Sequence, residues 1–559
     1  MTPPREIQLG PGPSGASSDS EQPSSSIVTD EKPQTPSGPH GDTPISYLYL
    51  TFDTALPAPP AALRDAAARD RSKAPPCPDL RPYTSPLEWS PARKNVLLGL
   101  SCIATFLTAY TAGCYSPPAV IMAADLDTSR LVVLVGITTF CLGFAFAPMA
   151  LAPISEIWGR FPVFVAAGAV FVVSQALCSV MPHVAGLLVA RFLVGAGASV
   201  FSAVVGGVIA DLWDKQDRNT PMALFSGAVL AGTGAGPLVA AELMHDVRDQ
   251  TLAWKWAFWH QVVMDAVLAS TLNRWYEQLE ARGVYGVWIA DPAAMVVAAS
   301  ASPGDAVLEK RDGPRQGQLR RIRWVVEEDE QRPPVAKMMA LSVQRPFHLL
   351  FTEPVVFCFS LWAAFSWGVL YLSFSVVPFL YGTDLDRSSR VYVAMMVAAA
   401  VATASPEARL YFSCLTALLL PAGLFGAFLC PRDMDGYAEA VGLGFATWGI
   451  YSVYLATFNY LADAYHVYAS SALAAQSFCR NVLGGGFPLL TGAMFANLGL
   501  RGAGGLLGGI AMALTVIPWV LVFLGGRIRA RSKFAIVSYR VWVHVPVVSA
   551  NVCALSLQQ

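Results

Sequence analysis

From Asn95 to about residue 525 the chain alternates long apolar runs with short polar breaks. Each run is about 20 residues, enough at 1.5 Å per residue to cross about 30 Å of hydrocarbon. Six runs lie near 95–116, 131–154, 161–181, 184–210, 221–241 and 255–272, and six more near 354–380, 391–405, 410–430, 440–462, 475–498 and 503–525. Such runs are expected to be helices, because lipid offers no partner to a free backbone N–H or C=O. The pattern predicts a disordered cytosolic tail (1–94), a six-span half (95–272), a cytosolic central loop (273–352), a second six-span half (354–525) and a cytosolic C-terminal tail (526–559). Within the tail, Pro11 to Ser26 is nearly all Gly, Pro, Ser, Gln and acid, too polar to bury a core.

Composition sharpens this reading. Charged residues are 14% of the chain against 54% hydrophobic, where soluble proteins carry about 25% charged residues. The 38 Lys+Arg nearly balance the 39 Asp+Glu, so the chain is no broadly basic nucleic-acid binder. Basic clusters sit at Arg93 and Lys94, in the central loop from Lys310 to Lys337, and at Arg527 to Lys533. An even number of spans puts all three on one side, with both termini cytosolic. The membrane expected is the plasma membrane, with the vacuolar membrane as the alternative. The first span is expected to act as the targeting signal, since the N-terminus is polar.

The ten cysteines include no C-x-x-C pair, and most lie in apolar runs as small buried hydrophobes. The seven histidines include no H-E-x-x-H. No metal site and no cofactor are expected. Without a nucleophile–base pair or a G-x-x-x-x-G-K-[ST] loop, an enzyme or ATP-driven pump is not expected either.

Ionisable groups within spans are costly and therefore of functional interest. Arg191 lies in Ala190-Arg-Phe-Leu-Val-Gly-Ala-Gly197. It either carries a function or locks a helix pair through backbone carbonyls. Glu242 and Asp265 are candidate proton carriers, although Glu242 also reads as an outer-surface residue. The fifth run holds Gly232, Gly236 and Pro237, which suit a bent, smooth-faced helix packed closely on a neighbour. Tyr110, Tyr115, Trp367 and Tyr371 are aromatic candidates for a substrate site, or alternatively core residues. Between the second and third runs stands Ala152-Pro-Ile-Ser-Glu-Ile-Trp-Gly-Arg-Phe161, with Glu156 and Arg160 four apart.

These residues resemble the major facilitator superfamily, specifically its fungal twelve-span drug:proton antiporters and polyamine-transporter-like members. Ala152–Phe161 is similar to the family's G-x-x-x-D-x-x-G-R-[RK] signature, with Glu156, Gly159 and Arg160 at the acid, glycine and arginine positions. Arg191-Phe-Leu-Val-Gly195 resembles the span-four arginine motif, and Gly232-Thr-Gly-Ala-Gly-Pro237 the span-five antiporter motif. Asp463, within Tyr460-Leu-Ala-Asp-Ala-Tyr465, and the pair Arg480-Asn481 resemble the subgroup's spans ten and eleven. The resemblance lapses after Met264, around 391–405 and after Ala535. Those segments read as misjudged exon boundaries or recent lesions rather than new function.

The resemblance implies an all-α membrane protein of the major facilitator fold: two six-helix halves in a pseudo-two-fold relation. It implies a monomeric carrier in the lipid bilayer that exports organic cations, drugs or polyamines in exchange for protons by alternating access, needing no cofactor beyond the proton gradient. Arg191 would serve proton coupling, and Glu156, Gly159 and Arg160 would latch the cytosolic face. The alternatives are a facilitative or import carrier for a small nutrient and a non-transporting sensor or degenerate member.

Overall fold

The structure is a computed structural model that describes residues 45–49, 89–157, 160–213, 217–282, 321–325, 335–382, 384–403, 414–430, 437–465 and 468–532. The chain forms two compact units, one of residues 1–57 with 309–332 and one of 58–308 with 333–559. In the smaller unit, β1 (Ile45–Tyr49) pairs in parallel with β2 (Arg321–Val325), Ile45 opposite Arg321 and Tyr49 opposite Val325. The polarity of the flanking sequence does not announce these strands. Their own residues, Ile-Ser-Tyr-Leu-Tyr and Arg-Ile-Arg-Trp-Val, include Ile, Val, Tyr and Trp, β-branched and aromatic types that favour pleated backbone.

The larger unit is helical in its described residues. Its first half comprises α1 (Pro91–Gly113), the short α2 (Ala119–Asp125), α3 (Arg130–Ile157), α4 (Arg160–Val180), α5 (Val184–Leu212), α6 (Asn219–Asp246) and α7 (Gln250–Arg282). α8 (Val335–Thr352) precedes the second half: α9 (Pro354–Tyr381), α10 (Leu385–Thr403), α11 (Leu419–Leu429), α12 (Tyr437–Tyr465), α13 (Ala469–Leu514) and α14 (Val516–Arg531). Among the described residues, eight helical stretches are long and apolar enough to cross a membrane by length and composition. α10 is more polar, α7 is long but carries charge toward its end, and Cys414–Leu429 is shorter.

α13 is not one rod. A 46-residue helix would be roughly 70 Å long, more than twice the hydrocarbon core. Its backbone breaks at Gly499, where φ is 66°, a conformation that glycine adopts without a Cβ penalty. The part before the break packs on α3 and α9. The part after it lies on α11, with Gly504 against Phe428 and Gly508 against Phe425.

The lapse in resemblance after Met264 does not interrupt the fold. α7 is continuous through that point to Arg282, well past the expected end of the run at 272, and α10 spans 385–403.

Helix pairing repeats between the halves. In the first half α1 packs on α6, α3 on α5, and α4 on both α5 and α7. The second half repeats this: α9 on the first part of α13, α10 on α12, and α11 on both α12 and the second part of α13. The halves meet through α3 against α13 and α6 against α10, each the counterpart of the other. This is the all-α, pseudo-two-fold arrangement that the sequence predicts.

Candidate functional site

Close backbone approach builds the first half. A Cβ on Gly232 would run into the Phe106 carbonyl, and one on Gly236 into the Tyr110 carbonyl. From the other side, a Cβ on Gly113 would sit 2.7 Å from Pro237 Cδ. The span-five motif thus lies directly on α1, as small residues at a helix interface permit. Gly195 likewise brings α5 onto the Phe140 carbonyl of α3.

Arg191 sits in this packing, fully buried, and none of its three side-chain nitrogens has a hydrogen-bond partner among the described residues. The guanidinium lies 4.4 Å from the Tyr115 ring and 4.8 Å from the Phe140 ring. The Tyr115 hydroxyl donates to the Val133 carbonyl at 2.9 Å, which fixes the ring. Of the two readings the sequence left open for Arg191, bonding to backbone carbonyls is not what the structure shows; aromatic rings enclose it instead.

Between the halves lies a narrow cavity of about 20 Å³ in this conformation. The first half lines it with Thr105, Thr108, Ala109 and Ala112 of α1, Phe140 and Phe144 of α3, Ser202 of α5, and Val229 and Thr233 of α6. The second half contributes Trp367 and Tyr371 of α9 and Arg480 and Asn481 of α13. The Arg480 guanidinium lies 4.5 Å from the Trp367 ring and 4.9 Å from the Tyr454 ring, whose centroids are themselves 5.5 Å apart. Its Nη2 donates to Ser477 Oγ at 3.4 Å, while Nε has no partner. The Asn481 amide donates to the Ser477 carbonyl at 2.8 Å. Among the described residues no carboxylate lines the cavity.

A second polar group lies between α1 and α7. The Tyr110 hydroxyl and His260 Nε2 are 2.7 Å apart. Asp265, one turn further along α7, is buried, and neither of its oxygens has a partner. Gln175 Nε2 of α4 donates to Gln261 Oε1 at 2.9 Å in the same layer.

The sixteen candidates therefore separate. Trp367, Tyr371, Arg480 and Asn481 converge on the cavity, with Arg191 and Tyr115 behind Phe140. Tyr110 and Asp265 belong to the second group. Gly232, Gly236 and Pro237 form the α1–α6 contact. Glu242 is half-buried at the inter-half contact, accepting from Ser389 Oγ at 3.3 Å. Glu156 and Arg160 fall within α3 and α4 and Asp463 within α12, but their side chains, and all of Gly159, lie outside the described residues. Sequence reasoning missed His260, Tyr454 and the Gln175–Gln261 pair. Polar side chains inside apolar runs were the available signal. Among the described residues no cluster of His, Cys, Asp and Glu suits a metal ion.

The Major Facilitator Superfamily model matches residues 101–488, most of both halves. The chain belongs to that superfamily. It is a multi-pass membrane protein of a transporter family, not of an enzyme family. Among curated relatives, the MFS transporter paaT of Penicillium rubens is 29% identical over 81% of this chain and 82% of its own length. The efflux pump FUB11 of Gibberella moniliformis is 28% identical over 79% and 73% respectively. The xylose transporter XylE of E. coli, in a partially occluded inward-open conformation, shares the fold with a TM-score of 0.55 at 13% identity, covering 77% of this chain and 98% of its own.

Proposed function

We propose that this superfamily member is a secondary active exporter of small organic solutes, of the twelve-span drug:proton antiporter kind, acting as a monomer in the plasma membrane with both termini cytosolic. The observation that carries this reading is the cavity lined from both halves. A site so placed is exposed to either side in turn when the halves rock, which is alternating access. The relative named an efflux pump supports the outward direction. Among the solutes that the sequence allows, an aromatic drug-like molecule suits the walls of Trp367, Tyr371 and Phe140 better than a polyamine, for which no carboxylate is at hand.

The proton gradient is the energy source, and Asp265 is the proton carrier. A buried carboxylate whose two oxygens have no partner among the described residues is costly within a span, which singles Asp265 out for this role. Tyr110 and His260 provide a hydrogen-bonding route beside it. Arg191 couples this group to the cavity through Phe140, and Glu156, Gly159 and Arg160 latch the cytosolic face.

The test is efflux of a fluorescent aromatic drug from cells expressing the full chain. Efflux is expected to fall at least tenfold with a protonophore, and equally with Asp265→Asn. Efflux that survives the protonophore would instead establish a facilitative carrier.

A further inference from the structure

We propose that the central cavity takes an organic anion: a flat aromatic solute bearing a carboxylate, which pairs with the Arg480 guanidinium. This rests on the exporter reading for the existence of a transported solute and goes beyond it in assigning the solute's charge. A guanidinium stays protonated in any protein setting. Arg480 is buried to 5% exposure, lines the cavity, and has no carboxylate partner among the described residues. Its Nε is unpartnered, and its one bond, to Ser477, is long at 3.4 Å. A buried charge without a counter-charge is destabilising, so the empty site is electrostatically incomplete.

The neighbouring groups point the same way. Trp367 Nε1 is a second buried donor without a partner. The Thr108 and Thr233 hydroxyls already donate to carbonyls of their own helices, at 2.8 and 2.7 Å, so they do not compete for the anion. Arg191, 4.8 Å from the Phe140 ring that walls the cavity, adds a second positive charge from the opposite half. A carboxylate accepts from a guanidinium in a charge-assisted bond, while its ring packs on Trp367 and Phe140. A cationic solute would meet the like charge of Arg480 and, among the described residues lining the cavity, no acceptor stronger than a hydroxyl or amide. Anion exit and proton entry also move positive charge in the same inward direction, so an inside-negative potential drives both.

The test uses the purified full chain in lipid nanodiscs with three isosteric probes: 1-naphthoate, neutral 1-naphthamide and 1-naphthylmethylammonium. Calorimetry should show naphthoate binding at least tenfold tighter than the ammonium. Arg480→Gln should weaken naphthoate at least tenfold and leave the amide within twofold, and Arg480→Lys should restore part of the loss. The ammonium binding as tightly as naphthoate, or none of the probes binding, would overturn the proposal. So would an unchanged naphthoate preference in a folded Arg480→Gln protein. If that variant fails to fold, the comparison on the unaltered chain decides. Flux into proteoliposomes separates this from the exporter reading. Arg480-dependent naphthoate binding without proton-driven flux overturns the exporter and keeps the anion site. Proton-driven flux of the ammonium alone does the reverse.

Discussion

Arg191 and Arg480 are both buried guanidiniums set against two aromatic rings, one in each half, and neither pairs with a carboxylate among the described residues. They differ in what holds the cage. Around Arg191 the cage depends on backbone. Gly195 lets the Phe140 carbonyl of α3 come so near that no Cβ would fit. Around Arg480 the corresponding glycine, Gly484, faces a side chain, with Trp367 Cδ1 3.1 Å from where its Cβ would stand. The first arginine is sealed inside one half, whereas the second opens on the cavity between the halves. A rigid enclosed charge suits coupling within a half, and an open one suits a ligand.

The largest expected effect separates the two cages. Gly195→Ala should destabilise the protein by about 3 kcal/mol, at the upper end of overpacking costs, because backbone must move. Gly484→Ala should cost about 1 kcal/mol, since the indole can give way by a few tenths of an ångström. Fluorescence-detected thermal unfolding in detergent would measure both, and equal losses would erase the distinction. Next comes Arg191→Met, a shorter apolar side chain that removes an uncompensated buried charge. It should stabilise the fold by about 1–2 kcal/mol, as apolar replacement of buried charges often does, while ending proton-driven efflux. A destabilised Arg191→Met protein would mean that the cation–π contacts, worth about 2 kcal/mol when desolvated, outweigh desolvation. The smallest effect is Tyr115→Phe, which removes only the hydroxyl bond to Val133 and should cost about 0.5 kcal/mol.

Much of the fold was legible in the sequence because the constraint behind it is local. A run of about 20 apolar residues must close its own backbone bonds in lipid, so its helicity needs no knowledge of neighbours. Gly232 and Gly236 were legible as contact residues for a similar reason, since lack of a side chain has few other uses at a helix interface. The β1–β2 pairing was not legible. Five-residue strands more than 270 positions apart carry no joint signal in their surroundings. The break at Gly499 was anticipated as the gap between two runs, although its left-handed backbone was not.

The candidate site divides along the same line. Residue type alone marked Arg191 and Asp265, because charge inside apolar runs is expensive and so stands out, whereas Arg480 and Asn481 were marked only by the family resemblance. Which of them share a site was a matter of tertiary structure. Arg480 and Trp367 are separated by 113 positions in the chain, and only the packing of α9 on α13 stacks them. Only the packing of α1 on α7 sets Tyr110 beside His260 and away from the cavity that its aromatic character had suggested. The sequence by itself determined a polytopic helical membrane protein of two six-run halves and its list of costly residues, since burial cost belongs to each residue singly. The tertiary structure decided the sign of the cavity, because a field is a sum over neighbours: it brought a cation to the solute space and left the carboxylates elsewhere.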